Sequence, residues 1–324
     1  NTLKTKIGKK ESINNSLVNC PNWLLIKIKI NGDFIDPFKQ EIIEYEKKLN
    51  YKKAILCHKI IYKDRENRIT KITSKRFSSM KNPHLSILDF KITPLNYSGE
   101  ISLQSLIDGS IENNNVARYR GLKSKHLKIV STKKINNLLT LHAKTSQSKY
   151  DLIFSAKNIT KKYTESKFIK SAKLIGEEFL YHQKRNQTIN LKKIISIFTS
   201  RESANPQKDS LNLLKKTSST NPAFQSHLKQ WKKLWEKCDL FIKGDLFSQN
   251  ALRFHIYHLL STYSPNVIGL DVSVPARGLT GESYHGHIFW DEIYITPFFY
   301  HHFPEVSKES LIYRYNRLKQ AQEY

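Results

Sequence analysis

The sequence lacks most of what would mark a secreted or membrane-spanning chain. Its three cysteines, Cys20, Cys57 and Cys238, stand far apart with no CxxC spacing. That excludes a disulfide framework and a cysteine-based zinc site as organising features. No Met stands at position 1, and no charged, apolar, small-residue succession of a signal peptide follows Asn1. Long apolar runs are missing too. The stretch from Trp23 to Ile30 is interrupted by Lys27 and Lys29, and nothing approaches the roughly 20 residues needed to span a bilayer. These absences lead to the expectation of a soluble, cytoplasmic protein with no membrane partner.

Acidic residues are scarce as well: 28 Asp and Glu face 54 Lys and Arg, a net charge of +26. Clustered cations would suit nucleic acid, which they bind by releasing phosphate counterions. The lysines here are scattered, as at Lys27, Lys52, Lys71, Lys91 and Lys133, and no RNA-recognition, KH, zinc-finger or basic-zipper signature accompanies them. Lysine-biased usage over an ordinary surface accounts for the charge, so nucleic acid is not the expected partner. Hydrophobic residues at 39% and aromatics at 11% suffice for a buried core. A length of 324 residues suits two domains, or one domain and part of another.

Hydrophobic periodicity changes along the chain. Leu24, Ile26, Ile28 and Ile30 alternate with Leu25, Lys27 and Lys29, the period of a half-buried strand, and Asn31-Gly32 supplies a turn. Similar runs recur at Leu88 to Ile92, Ile101 to Leu103, Leu138 to Leu141, Leu152 to Phe154 and Ile194 to Phe198. Many short strands predict an antiparallel β-sandwich over 1–204. Residues 205–243 read as a helical linker in which Asn221 and Pro222 start a helix striped by Phe224, Leu228, Trp231 and Trp235. A further helix begins near Asp245 or Ser248, with a stripe of Leu252, Ile256, Leu259, Leu260 and Tyr263. Another follows Pro304, with Leu311, Tyr315 and Leu318 on one side.

Chemistry concentrates in Pro275-Ala-Arg-Gly-Leu-Thr-Gly-Glu-Ser-Tyr-His-Gly-His-Ile-Phe-Trp-Asp291. Gly278, Gly281 and Gly286 permit close backbone approach or positive φ. Between them stand Arg277, Glu282, Tyr284, His285, His287, Trp290 and Asp291. An indole can stack on a pyranose while carboxylate and imidazole bind its hydroxyls, a few polar groups on largely apolar walls. Competing readings are a core tryptophan followed by an aspartate N-cap, a Glu282–Asp291 acid/base pair, and metal ligation by His285 and His287 with His301 and His302.

The segment Ala276-Arg277-Gly278-Leu279-Thr280-Gly281-Glu282-x-Tyr284-x-Gly286-His287-Ile288-Phe289-Trp290-Asp291-Glu292 resembles the hallmark of glycoside hydrolase family 65, the maltose, trehalose and kojibiose phosphorylases. Colinear with it, Asn19-Cys20-Pro21-Asn22-Trp23, Arg76-Phe77-Ser78-Ser79, Thr93-Pro94-x-Asn96-Tyr97-Ser98-Gly99, Thr199-Ser200-Arg201 and Gln249-x-x-Leu252-Arg253-Phe254 resemble further family segments. Ser283 and His285 depart from the family, which commonly has Gly and a basic residue there.

The resemblance implies an N-terminal antiparallel β-sandwich (1–204), a helical linker (205–243) and the first helices of an (α/α)6 catalytic toroid (244–324), incomplete in this chain. It implies that Trp290 and Asp291 hold the non-reducing glucose, with Arg277, Tyr284 and His287 lining or supporting that pocket. The family's catalytic glutamate, the general acid, lies well downstream of the Trp-Asp pair, so it is expected beyond Tyr324, with no catalytic residue in this chain and no activity from the chain alone. The implied reaction is inverting phosphorolysis of an α-glucosidic disaccharide such as maltose, trehalose or kojibiose. Inorganic phosphate is the co-substrate; no metal or organic cofactor is implied, and a homodimer is compatible. The alternatives are a family 65 hydrolase and a non-catalytic carbohydrate-binding protein.

Overall fold

The computed structural model describes residues 1–323. The change of period in the sequence becomes a change of secondary structure: among the described residues fifteen strands come first and six α-helices after. The strands are β1 (Thr2–Ile7), β2 (Lys10–Asn15), β3 (Ile26–Ile30), β4 (Asp33–Ile35), β5 (Glu41–Asn50), β6 (Ile55–Lys63), β7 (Ile69–Ser78), β8 (Leu85–Pro94), β9 (Gly99–Asp108), β10 (Leu127–Ile135), β11 (Leu138–Thr145), β12 (Asp151–Thr160), β13 (Glu165–Lys170), β14 (Leu174–Gln183) and β15 (Ile189–Thr199). The helices are α1 (Pro206–Lys216), α2 (Thr220–Cys238), α3 (Leu246–Thr262), α4 (Glu292–His302), α5 (Pro304–Tyr315) and α6 (Leu318–Gln322).

Two compact units emerge. One holds residues 19–112 and 127–228; the other holds residues 1–18, 113–126 and those from Lys229 onward. A partition in chain order at 204 and 243 therefore differs from the observed contacts at three places. The N-terminal hairpin and the loop after β9 group with the helices, while α1 and the first half of α2 group with the sheets.

In the first unit, an eight-stranded antiparallel sheet (β10-β11-β12-β15-β8-β7-β6-β5) faces a five-stranded one (β13-β14-β9-β3-β4). The expected sandwich is present. Ile28 and Ile30 of β3, Ile101 and Leu103 of β9 and Tyr181 of β14 pack against Ile60, Tyr62, Ile92 and Leu191 from the larger sheet. Each such buried side chain contributes roughly 1.5–3 kcal/mol. Asn31 and Gly32 take φ of 49° and 92°, positive at both central positions as the tight β3–β4 hairpin requires. The larger sheet is covered on its other face too. Ile55, Phe77, Ile87 and Ile194 meet Leu214 of α1 and Phe224 and Leu228 of α2, which is why β8 and β15 carry apolar residues of both parities.

The second unit is helical apart from the β1–β2 hairpin. Asp245 caps α3, accepting from the backbone N–H groups of Phe247 and Ser248. Trp231 of α2 stacks on Tyr257 of α3 at 5.5 Å. The α2 helix starts at Thr220, ahead of the Asn221 cap the sequence suggests; Pro222 still lies in the first turn, where its missing N–H has no intrahelical role. Ile256, Leu260 and Tyr263 of the α3 stripe are buried, whereas Leu311 and Tyr315 of α5 are 64% and 76% exposed. The buried positions of α5 are Val306, Ser307 and Ser310, so its apolar stripe lies on the outer face. No helix among the described residues is long and apolar enough to cross a membrane.

Candidate active site

The segment 275–291 is a loop whose shape is dictated by short hydrogen bonds to the start of the chain and to the loop after β9. Tyr284, His285 and Gly286 are consecutive left-handed residues, with φ of 58°, 55° and 72°. Two non-glycine residues in that region cost free energy that the surroundings must offset. They do so through the backbone: Leu17 N–H donates to the His285 carbonyl at 2.8 Å and His285 N–H to the Glu282 carbonyl at 3.0 Å. At Gly286 a Cβ would stand 2.5 Å from Leu17 Cβ, so both the positive φ and the close approach require glycine.

The side chains reinforce this frame. The Glu282 carboxylate accepts from the Asn115 backbone N–H at 2.9 Å and from its Nδ2 at 2.7 Å. The His285 ring stacks on Tyr119 at 4.0 Å, and its Nδ1 meets Ser16 Oγ at 2.9 Å. Burial, then the neighbouring His287 and Arg118, lower the His285 pKa, favouring the neutral ring. His287 Nε2 donates to the Asn15 carbonyl at 2.6 Å. Glu282 thus serves to hold the loop, and the two histidines spend ring nitrogens on protein partners. No cluster of three metal-ligating residues occurs among the described residues.

Trp290 and Asp291 stand at the start of α4, and their backbone is held from both sides. Glu292 is buried; it accepts from Ser273 Oγ at 2.5 Å and from Arg314 Nε at 2.5 Å. Arg314 Nη2 also donates to the Phe289 carbonyl at 2.9 Å. One guanidinium therefore ties the residue before Trp290 to the residue after Asp291. The pair itself is left open. Trp290 is 68% exposed, with its ring edge-on to Tyr294 at 5.9 Å. Asp291 precedes the helix without a capping bond from its side chain. The core-tryptophan and N-cap reading fails on both counts.

The remaining expected residues fall into a neighbouring group. Arg277 places its guanidinium 5.9 Å from the Tyr284 ring centroid, and Arg118 adds a second at 5.4 Å. Phe289 links this group to His287, lying 5.8 Å from Tyr284 and 6.0 Å from His287. An open cavity of about 470 Å³ is lined by His287, Phe289, Leu17 and Tyr313. Arg277, Tyr284, Trp290 and Asp291 are not among the residues that line it. Sequence reasoning missed Glu292 as an anchor, along with Arg314, Ser273, Tyr119 and Asn115. Glu292 and Arg314 lie 22 positions apart, and no local period could pair them.

A model of the glycosyl hydrolase family 65 N-terminal domain matches residues 2–238, and one of the family 65 central catalytic domain matches residues 253–324. The chain belongs to glycosyl hydrolase family 65. Among family relatives, a kojibiose phosphorylase of Caldanaerobacter subterraneus subsp. tengcongensis is 35% identical over 94% of this chain and 41% of its own length. A trehalose 6-phosphate phosphorylase of Lactococcus lactis is 31% identical over 100% and 41%. An uncharacterized glycosyl hydrolase of Mycobacterium tuberculosis is 32% identical over 95% and 24%. The chain thus spans less than half the length of these curated relatives. A solved structure from the human microbiome, assigned as a kojibiose phosphorylase, has the same fold, with a TM-score of 0.83 at 20% identity, covering 98% of this chain and 42% of that one.

Proposed function

We propose that this chain carries the glucosyl-holding part of an inverting phosphorylase for α-linked glucose disaccharides. The observation that carries the reading is the Trp290–Asp291 pair: an exposed indole beside a carboxylate with no capping duty, on backbone clamped by Glu292 and Arg314. Such a pair offers stacking to a pyranose face and acceptors to its hydroxyls, on a support stiff enough to orient them. The phosphorylase relatives support the reaction class.

In that reaction a carboxylic acid protonates the bridging glycosidic oxygen as the bond to the anomeric carbon breaks. A phosphate oxygen forms the new bond from the opposite face, giving β-glucose 1-phosphate and the released sugar. Phosphate is itself the nucleophile, so no enzymic base need activate a water. Asp291 orients a ring hydroxyl and Trp290 the ring; Arg277, Tyr284 and His287 support the loop that precedes them. The general acid and phosphate site are not assigned to residues of this chain. A family 65 hydrolase is the competing reading, favoured by the hydrolase description of the mycobacterial relative. The test is to supply full-length protein with maltose, trehalose or kojibiose, with and without phosphate. Phosphate-dependent β-glucose 1-phosphate supports the proposal, and glucose release indifferent to phosphate supports hydrolysis.

A further inference from the structure

The sandwich carries a second candidate site of different chemistry. Where β12 ends and β14 turns into β15, a half-open groove of about 570 Å³ is lined by Lys161, Lys162, Lys192, His182, Gln187 and Asn190. That volume suits a small ligand. None of the lining residues is acidic. Among the described residues, the side chains of Lys161, Lys162, His182, Gln187 and Asn190 make no hydrogen bond or ion pair, and Lys192 Nζ has one hydrogen bond, to Thr220 Oγ1 at 3.4 Å. Some lysines elsewhere on the same sandwich do find carboxylates, as Lys29 does with Glu178 at 2.9 Å and Lys59 with Glu44 at 2.6 Å. Three lysines with no carboxylate partner line one concavity, a set of donors suited to an anion carrying several acceptor oxygens.

The groove lacks the means to hold a neutral sugar by stacking. Its one aromatic residue, Tyr181, is buried, with its hydroxyl bonded to Thr160 Oγ1 at 2.7 Å. The free amides of Gln187 and Asn190 and the imidazole of His182 nevertheless offer donors and acceptors suited to hydroxyl groups. The floor is rigid: Thr160 Oγ1 also donates to the Asn190 carbonyl at 2.9 Å. Lys162 sits on the rim with φ of 61°, a conformation costly for a lysine and natural for glycine.

We propose that this groove binds a phosphoryl-bearing sugar of mono- or disaccharide size, with the lysines on the phosphoryl oxygens and the amides on the sugar hydroxyls. The reading is independent of the function proposed for Trp290 and Asp291.

Calorimetric titration of the whole chain with glucose 6-phosphate, inorganic phosphate and glucose tests it. Glucose 6-phosphate should bind saturably, inorganic phosphate more weakly, and glucose not at all. The K161Q/K162G double variant should weaken glucose 6-phosphate binding about tenfold or more, the scale of losing hydrogen bonds to a charged group, with its melting temperature retained because Gly accepts the backbone at 162. Absence of saturable binding at millimolar glucose 6-phosphate overturns the proposal. So does binding that survives the double variant, which would lie elsewhere. Equal affinity for inorganic phosphate overturns the sugar part.

Discussion

Lys193 of β15 gives a pH-dependent stability that can be worked out in advance. Its side chain is fully buried inside the sandwich, where Nζ donates to the Leu106 carbonyl of β9 at 2.6 Å. Loss of hydration pushes its pKa from an ordinary 10.5 down to about 7. Between those values the unfolded chain holds a proton that the folded chain has released, so stability rises with pH across that window. At ~1.4 kcal/mol per pH unit the gap is a penalty of roughly 5 kcal/mol, fully present below about pH 7 and gone above about pH 10.5. Replacing Lys193 by Met removes the penalty and fills similar volume, but strips Leu106 of its donor at a cost of about 1–3 kcal/mol. K193M should therefore be more stable than the parent near pH 6, by roughly 2–4 kcal/mol, and no more stable, or less so, near pH 10. Urea denaturation followed by circular dichroism at several pH values reads this directly. A stability difference that is flat with pH, or K193M weaker at the acid end, refutes the argument.

Two further predictions concern the candidate site. Gly286→Ala places a methyl 2.5 Å from Leu17 Cβ at a φ of 72°, so thermal unfolding should show a loss of about 1–3 kcal/mol; an unchanged melting temperature would mean that residues 15–17 do not constrain the loop. Glu292→Gln keeps the shape but removes the charge that receives Ser273 and Arg314. It should cost about 1.5–3 kcal/mol and, in full-length protein, raise KM with altered kcat. Full stability and unchanged kinetics would remove Glu292 as the anchor of Trp290 and Asp291.

Much of the fold is legible in the sequence because burial imposes periods. The alternation at Ile26–Ile30 and the Asn31-Gly32 turn appear as β3, its hairpin and β4, and the Phe224–Trp235 stripe appears on α2. The rest depends on contacts that sequence spacing does not encode. The β1–β2 hairpin carries few apolar residues, yet Asn15, Ser16 and Leu17 hold the loop around His285. The α4 helix carries apolar and aromatic residues at Ile293, Tyr294, Ile295, Phe298, Phe299 and Tyr300 and contains Pro297, so no amphipathic stripe announces it. Family resemblance singled out Trp290 and Asp291, whereas Glu292 is understood as an anchor only once Ser273 and Arg314 converge on it.

The central claim is that Trp290 and Asp291 hold the glucosyl ring during phosphorolysis. Its most direct test is kcat/KM for glucose 1-phosphate formation by full-length protein and its Asp291→Ala variant, on whichever of maltose, trehalose or kojibiose is turned over. Hydrogen bonds to the sugar strengthen in the transition state, so the variant should show raised KM and lowered kcat together, a combined loss of about 100-fold or more. An Asp291→Ala enzyme with unchanged kcat/KM would contradict the account.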